Sequence, residues 1–397
     1  MTIRKLTTKD AVAMKDILHY CFYNSQSWDE EDWEKFFSFL DYDGCFGYFI
    51  DKELASTYVV YPCQIFIRGK LMKVGGIASV ATKPQYRRQK QITALTEFTL
   101  KEMRAKKQII SILYPFKYSY YRMFGWENCV EFNWIISPPA NILIPNDFKR
   151  LDIKEISHND AHKIIRPIRE KFGKKFTIML FDDPELFKLQ FLDKQNKVLV
   201  LKEEGRNVGY FITKLEKREG EWNIRFNLRD VLVDSINARF TVFEYIKKHT
   251  DQNKDFSYPL MGDENVTDYF DLWEGKFTCK KTGGAMFRVV DVEKALEILE
   301  FDTKLEVTFV KKLEDKYALW NSESMKIEIS NGKATTTRNL KQEVNFDADI
   351  KAFTQLFTGY RSIHELIEIG KIHIKKLDLE LLDQAFPKQL TRIRTFF

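Results

Sequence analysis

Val80-Ala81-Thr82-Lys83-Pro84-Gln85-Tyr86-Arg87-Arg88-Gln89-Lys90-Gln91-Ile92-Thr93-Ala94-Leu95 is the stretch whose change of periodicity decides the fold. A strand from about Met72 ends at Thr82, Pro84 marks a turn, and two arginines precede a helix predicted to run to about Lys106. Physically this is an anion site. The first amides of a helix point outward unpaired, the helix dipole favours negative charge, and adjacent arginines add to both. An ordinary strand–turn–helix with an exposed arginine pair fits the same letters.

Upstream, Ile3 to Leu6 reads as a strand, and Thr7-Thr8-Lys9-Asp10 fits a capping box. The helix it opens is expected to turn Val12, Met14, Ile17, Leu18 and Cys21 inward, and a second helix fits Asp29 to Leu40. Strands follow at Cys45 to Ile50, Ala55 to Ile67 and Met72 to about Thr82. Downstream, Ile109 to Tyr114 is a buried strand closed by Pro115-Phe116. Tyr120-Tyr121-Arg122-Met123-Phe124-Gly125-Trp126-Glu127 then gives a short helix, a glycine turn and a strand to about Ile136.

The remainder reads as two further units. From about Arg150 come a helix over Asp160 to Phe172 and another around Pro184 to Leu192. A hairpin of Lys197 to Lys202 with Asn207 to Leu215 follows, then a strand over Phe226 to Val233 and a helix from about Ala238 to Lys248. The coarse element order repeats, without a second arginine turn. After Gly283-Gly284 come Met286 to Val290 and a helix from Val292 to Leu299. Strands at Leu305 to Lys311, Met325 to Ile329 and Lys333 to Thr337 lead to helices over Asp349 to Phe357 and Asp378 to Ala385, and the sequence ends in Phe396-Phe397.

Composition bounds the answer. The 397 residues suit two or three domains, and 44% hydrophobic with 30% charged residues excludes collagen-like, low-complexity and disordered classes. Lys and Arg total 63 against 57 Asp and Glu, both signs spread along the chain, so no basic stripe suggests a nucleic-acid partner. The five cysteines form no CxxC pair, which argues against a disulfide framework or a zinc site, and no metal is expected. No apolar run approaches the roughly 20 residues that cross a bilayer, and the start has no signal-peptide core, so no membrane partner and a cytoplasmic location are expected.

The element order of strand, two helices, three strands, helix, strand, short helix and strand resembles the GCN5-related N-acetyltransferase fold. The Pro84-x-Tyr86-Arg87-Arg88 segment sits where that family holds the coenzyme A pyrophosphate, and Tyr120 to Trp126 resembles its frequent F-Y-x-x-x-G-F/W ending. The third unit, through Ala352-Phe353-Thr354-Gln355-Leu356-Phe357-Thr358-Gly359-Tyr360-Arg361-Ser362, resembles a sterol-carrier-type domain. The three-part order resembles the enhanced intracellular survival (Eis) family of N-acetyltransferases over essentially the whole chain.

That resemblance implies an α+β chain: tandem acetyltransferase folds, each a mixed central sheet flanked by helices, over 1–142 and 143–286, the second degenerate, then a sterol-carrier-like α/β domain over 287–397. It implies acetyl-CoA as co-substrate. The backbone of Val80, Ala81 and Thr82 would pair with the pantetheine arm; Arg87, Arg88, Gln89, Lys90, Gln91, Ile92 and Thr93 would hold the pyrophosphate; Phe116 would close over the thioester arm. Tyr121 would be general acid and the α-carboxylate of Phe397 general base. A carboxylate can take the proton that the attacking amine must lose, and a phenol can protonate the departing thiolate. The acceptor would be a small-molecule or lysine amine, and the assembly a homo-oligomer such as a hexamer.

One departure stands out. The family's loop reads R-R-x-G-x-G or R-R-x-G-x-A, because glycine admits close backbone approach to the phosphates. Here those two positions are Lys90 and Ile92. This departure favours a second reading, a non-catalytic acyl-CoA or apolar-ligand binding protein. For a cationic acceptor, Asp29, Glu30, Glu31 and Asp32 are candidate acidic residues, and an exposed acidic helix start explains them equally well.

Overall fold

Alternating side chains along the first strands sort the core into two faces of one sheet. In chain order the elements are β1 (Thr2–Lys5), α1 (Ala11–Cys21), α2 (Glu30–Ser38), β2 (Cys45–Ile50), β3 (Glu53–Ile67) and β4 (Lys70–Thr82). They continue with α3 (Gln91–Ala105), β5 (Ile110–Leu113), α4 (Tyr118–Arg122) and β6 (Glu127–Asn128). The computed structural model describes residues 1–180, 195–220, 223–260, 264–271, 277–338 and 342–393, with Pro184, Phe187, Lys188 and Leu192. The helix expected around Pro184 to Leu192 lies largely outside the described residues, and Phe397 lies outside them altogether.

By contacts the chain forms two units, Met1–Cys129 with Ala285–Gln389, and Val130–Gly284 with 390–393 among the described residues. The segments 1–142, 143–286 and 287–397 expected from sequence follow the chain, whereas these units interleave along it.

In the first unit the sheet runs β1-β2-β3-β4-β5, then Met286–Val289, then β6. The pair β4–β5 is parallel, and Met286–Val289 lies antiparallel to both β5 and β6. One face sends Phe46, Tyr58, Val60 and Ile77 against Leu95, Leu100 and Met103 of α3 and against Phe124 and Trp126. The other sends Cys45, Phe49, Leu54, Val59 and Ala81 against Met14, Ile17 and Leu18 of α1 and Trp33 of α2. Val12 does not join them and is 73% exposed. At 100° per residue it stands about 200° around the helix from buried Met14, so the inward expectation for it is corrected.

The strand expected to run unbroken from the Gly125 turn to about Ile136 is two strands. β6 belongs to the first unit's sheet, while Glu131–Ser137 belongs to the second's. That second sheet runs Asp152–Ile156, Lys197–Glu203, Arg206–Lys217, Ile224–Val233, Asp255–Leu260, Glu131–Ser137 and Thr278–Gly283. Its pattern repeats the first: a bulged antiparallel pair precedes the helix Ile236–Lys247, and the strand after that helix is parallel.

Residues after Val289 build a five-stranded sheet, in the order Lys333–Arg338, Met325–Ser330, Val307–Glu314, Phe346–Asp349 and Ile372–Ile374. The helix Ile350–Phe357 packs on Met286–Val289 and on β6, which is why this part joins the first unit. Among the described residues no helix is long and apolar enough to cross a membrane.

Candidate active site

The site begins where the parallel pairing of β4 with β5 stops. The last aligned residues are Ile77 and Leu113, while β4 continues to Thr82, so Ala78–Thr82 keep an edge that β5 does not cover. Just past that point β4 carries an extra residue: Thr57 of β3 faces Ala81 and Val59 faces Ala78, leaving Ser79 and Val80 opposite Tyr58. Ser79 takes φ 50°, and its carbonyl accepts from Thr57 Oγ1 at 2.8 Å. Such a bulge re-aims backbone groups, here toward the open side of β4.

Beyond β4 the loop is pinned at its first half and open at its second. Glu53 accepts from Lys83 Nζ at 2.7 Å and from the Tyr86 hydroxyl at 2.6 Å. Both contacts hold its carboxyl below the usual carboxylate range. Arg87 donates from Nε to the Thr82 carbonyl at 3.2 Å. Arg88 and Lys90, at φ 63° and 62°, both take the left-handed conformation, and neither meets a carboxylate among the described residues. Lys90 thus adopts the backbone geometry that glycine would supply.

The start of α3, like those of α1 and α4, has no side-chain cap, unlike most other helix starts. The helices beginning at Glu30, His158, Ile236, Val292, Ile350, Ile363 and Leu379 each have a side-chain oxygen of the preceding Asp or Ser on their first amides. Before α3 stands Lys90, which has no acceptor to offer and makes no such bond. The amides of Gln91, Ile92 and Thr93 therefore receive no cap from the residue before them, a geometry that suits an anion. Gln91 is fixed beneath them, its Oε1 accepting from Ser56 Oγ at 2.8 Å, while Ser56 and Thr82 share a hydroxyl contact of 2.9 Å. Ile92 packs on the sheet's core, so its side chain is accommodated there.

These elements enclose a groove of about 690 Å³. Val80, Ala81, Thr82, Arg87, Arg88, Gln89, Lys90, Gln91, Ile92, Thr93 and Phe116 all line it. So do Cys21, Phe22, Tyr120, Met123 and Phe124, which sequence reasoning did not assign to it. In the sequence Tyr120 stands out only as the first residue of the Tyr120-to-Trp126 stretch. Phe22 and Cys21 carried no signal beyond ending an amphipathic helix.

Tyr121 is not among the lining side chains. It is 7% exposed and sits in the core, edge-on to Phe116 at 5.6 Å and to Tyr120 at 5.2 Å. Burial, with the neighbouring Tyr58 and Tyr120, pushes its phenol well above the ordinary tyrosine value. It therefore stays protonated throughout the working pH range. Its short helix is held by its own turn: Phe124 and Trp126 amides both bond the Tyr121 carbonyl, at 3.0 and 3.2 Å, around Gly125 at φ 91°.

Asp29 to Asp32 do not line the groove. Asp29 and Asp32 form a reciprocal capping box, and Glu30 pairs with Lys15 at 2.5 Å. Among the described residues no group of three or more His, Cys, Asp or Glu side chains could hold a metal ion.

Comparison with known proteins places this geometry. Residues 2–129 match the family model of the acetyltransferase (GNAT) domain, and residues 292–392 match that of the sterol carrier protein domain. Among solved structures, a GCN5-related N-acetyltransferase from Anabaena variabilis aligns over 100% of both chains at 20% identity and a TM-score of 0.85. A probable N-acyltransferase from Enterococcus faecalis aligns over 100% of this chain and 99% of its own, at 23% identity and 0.86. Eis1 from Mycobacterium abscessus aligns over 100% of both at 15% identity and 0.81. No curated protein matches significantly by sequence. At these identities the likeness carries the fold: an acetyltransferase-type fold along the whole length, with a sterol-carrier-like part at the C-terminal end.

Proposed function

We propose that this protein is an acetyl-CoA-dependent N-acetyltransferase that moves an acetyl group to an amine by direct attack. The observation that carries the proposal is the α3 start. Its uncapped amides, with Arg87 and Arg88 before it, open onto a groove along the uncovered edge of β4. A diphosphate suits those amides and guanidinium groups, and an amide-bearing arm suits the backbone of Val80 to Thr82. The residues present fit the co-substrate, since Lys90 supplies the left-handed turn and Ile92, though it lines the groove, packs in part against the sheet's core.

When bound, acetyl-CoA supplies an activated acetyl thioester. The chain's own residues then have three tasks. Arg87, Arg88 and the amides from Gln91 to Thr93 bind the phosphates and fix the arm's direction. Tyr121 holds a proton at its phenol oxygen, ready for the departing sulfur, and its burial keeps that proton in place. The α-carboxylate of Phe397 accepts the proton that the amine sheds. The sequence points to work in the cytoplasm, and the resemblance to the Eis family to a homo-oligomer such as a hexamer.

The test measures acetyl-CoA binding by thermal shift and acetyl transfer to a panel of amines. The native sequence is compared with Tyr121→Phe and with a version extended beyond Phe397. Binding without transfer favours the second reading, a non-catalytic acyl-CoA binder, for which the placement of Tyr121 behind the groove lining speaks. Transfer that survives the extension removes the carboxylate base. Absence of any thermal shift with saturating acetyl-CoA removes the cofactor.

A further inference from the structure

We infer that the second unit carries a site of its own, for a small carboxylate on a compact apolar body. It stands whether or not the first unit transfers acetyl groups. The repeat of the fold marks the place. The strand Ile224–Val233 ends and the helix Ile236–Lys247 begins as β4 and α3 do in the first unit, and Val233, Asp234, Ser235 and Ile236 line a cavity of about 210 Å³. The two places have diverged. Ser235 caps its helix, the Oγ accepting from the Ala238 amide at 3.1 Å, so this helix start is less open to a diphosphate than that of α3. The cavity is also much smaller than the groove of about 690 Å³ in the first unit. Both differences suit a small anion and not a nucleotide.

Charge and shape name the ligand. Lys171, Lys175, Arg239 and Arg392 line the cavity together with Asp234. Asp234 pairs with Lys171 at 2.5 Å, while Arg239 pairs with Glu264 at 3.0 Å and donates to the Tyr269 hydroxyl at 2.7 Å. The attraction for a ligand therefore falls to Lys175 and Arg392. Arg392 is 7% exposed, and a charge at that depth acts on a neighbouring anion with little screening by water. Its guanidinium carbon lies 4.0 Å from the centre of the Phe176 ring, and its amide donates to the Thr177 carbonyl at 2.7 Å, so its place is fixed. A guanidinium held on an aromatic ring keeps an in-plane fork of donors that matches a carboxylate. Phe172, Phe176, Val233 and Ile236 form the apolar wall, and Ile236 is 51% exposed. An apolar body covers that wall, which a bare inorganic anion would leave wet.

The experiment titrates the full chain by calorimetry with phenylacetate and with phenylacetamide, which keeps the shape and lacks the charge. Phenylacetate should bind at least about tenfold more tightly than phenylacetamide. Arg392→Gln and Lys175→Gln should each weaken it roughly tenfold. Lys175 is exposed, so its variant carries the test even where loss of the buried arginine disturbs the fold. Acetyl-CoA at saturation should leave the phenylacetate affinity within about twofold, which separates this site from the first unit's groove. Equal affinity for the two probes overturns the inference, as does the absence of phenylacetate binding at millimolar concentration. Competition by acetyl-CoA, or a Lys175→Gln affinity within about twofold of wild type, also overturns it.

Discussion

Arg288 and Asp315 form an ion pair closed to water, their side chains 0% and 1% exposed, with Nη2 at 2.7 and 2.9 Å from the two carboxylate oxygens. The same guanidinium donates from Nη1 to the Phe124 carbonyl at 3.0 Å and lies over the Trp126 ring at 5.4 Å. Asp315 also accepts from Ala318 N at 3.1 Å and Asn321 Nδ2 at 3.0 Å. The pair thus ties a loop of the C-terminal sheet to the turn after α4, whose Phe124 lines the groove. Removing one member strands the other. Arg288→Met is expected to destabilise by about 3–5 kcal/mol, because an uncompensated buried carboxylate remains. A thermal midpoint lowered by on the order of 10 °C checks it. A midpoint within experimental scatter of wild type removes the tie.

Gly125 tests the same junction from the other side. A Cβ there would stand 1.8 Å from Arg288 Nη1, at φ 91°. Gly125→Ala must displace the guanidinium as well as strain the backbone. It is expected to lower kcat through the shifted α4 turn while KM for acetyl-CoA stays near wild type. Unchanged kcat shows that the turn tolerates the displacement.

The arginine pair should be read through binding. Charge-assisted hydrogen bonds to phosphate contribute about 1.5–3 kcal/mol each, so Arg88→Ala should weaken acetyl-CoA binding roughly 10- to 100-fold by calorimetry. Arg88 meets no carboxylate among the described residues, so the ligand-free midpoint should hold. Lys90→Gly separates backbone from charge at the next turn. Glycine adopts φ 62° without penalty, so stability should rise by up to about 1 kcal/mol, whereas Lys90→Ala keeps the strain and loses the charge. A fall in stability with Lys90→Gly shows that the lysine side chain itself supports the loop.

How much of this was readable beforehand follows from what is local. The strand, turn and helix from Val80 to Leu95 are set by an apolar run, Pro84 and a helical spacing of Leu95, Thr96, Thr99, Leu100 and Met103. The positions expected to hold a cofactor lie on that one continuous segment, apart from Phe116. What was not local was not legible. Met286–Val289 and Glu131–Ser137 are short strands of mixed polarity, and nothing in their letters says which sheet each completes. That choice belongs to the packing of Ile350–Phe357 on Met286–Val289, more than sixty residues away in sequence. Tyr120 and Tyr121 differ by one position on a five-residue helix, so a 100° rotation decides which ring meets the groove. No periodicity settles a rotation over so short an element.

Buried Lys311 gives a pH dependence with a definite sign. Its ammonium is enclosed in the C-terminal sheet, donating to the carbonyls of Asn321 and of Glu323, the latter at 3.0 Å. Burial, with Arg338 nearby, lowers its pKa to about 8 from the ordinary 10.5. Between those values the unfolded chain keeps a proton that the folded chain has shed, so the unfolded state binds more protons and stability rises with pH. Relative to Lys311→Met, wild type should gain up to about 3 kcal/mol from pH 7 to pH 10, followed by denaturant midpoints. A constant difference across that range removes the perturbed lysine.

The last described residues of the first unit offer a further measurement. Gln389 donates its amide to the Gly359 carbonyl at 2.8 Å, and its Oε1 accepts from the Arg68 amide at 3.1 Å. Arg68, at the tip of the β3–β4 hairpin, also donates to the carbonyls of Phe357 and Leu356, at 2.7 and 2.9 Å, closing the end of that helix. Gly359 is required by two independent demands. Its φ is 74°, and a Cβ there would meet the Gln389 backbone nitrogen at 2.8 Å. Gly359→Ala should therefore release Gln389 and raise amide exchange over 386–389 while the helix Ile350–Phe357 stays protected. Gln389→Ala removes only the side-chain half and should raise exchange at the Arg68 amide alone. If both variants exchange like wild type, the glycine and the hairpin do not hold the tail, and its path is set after Gln389 instead.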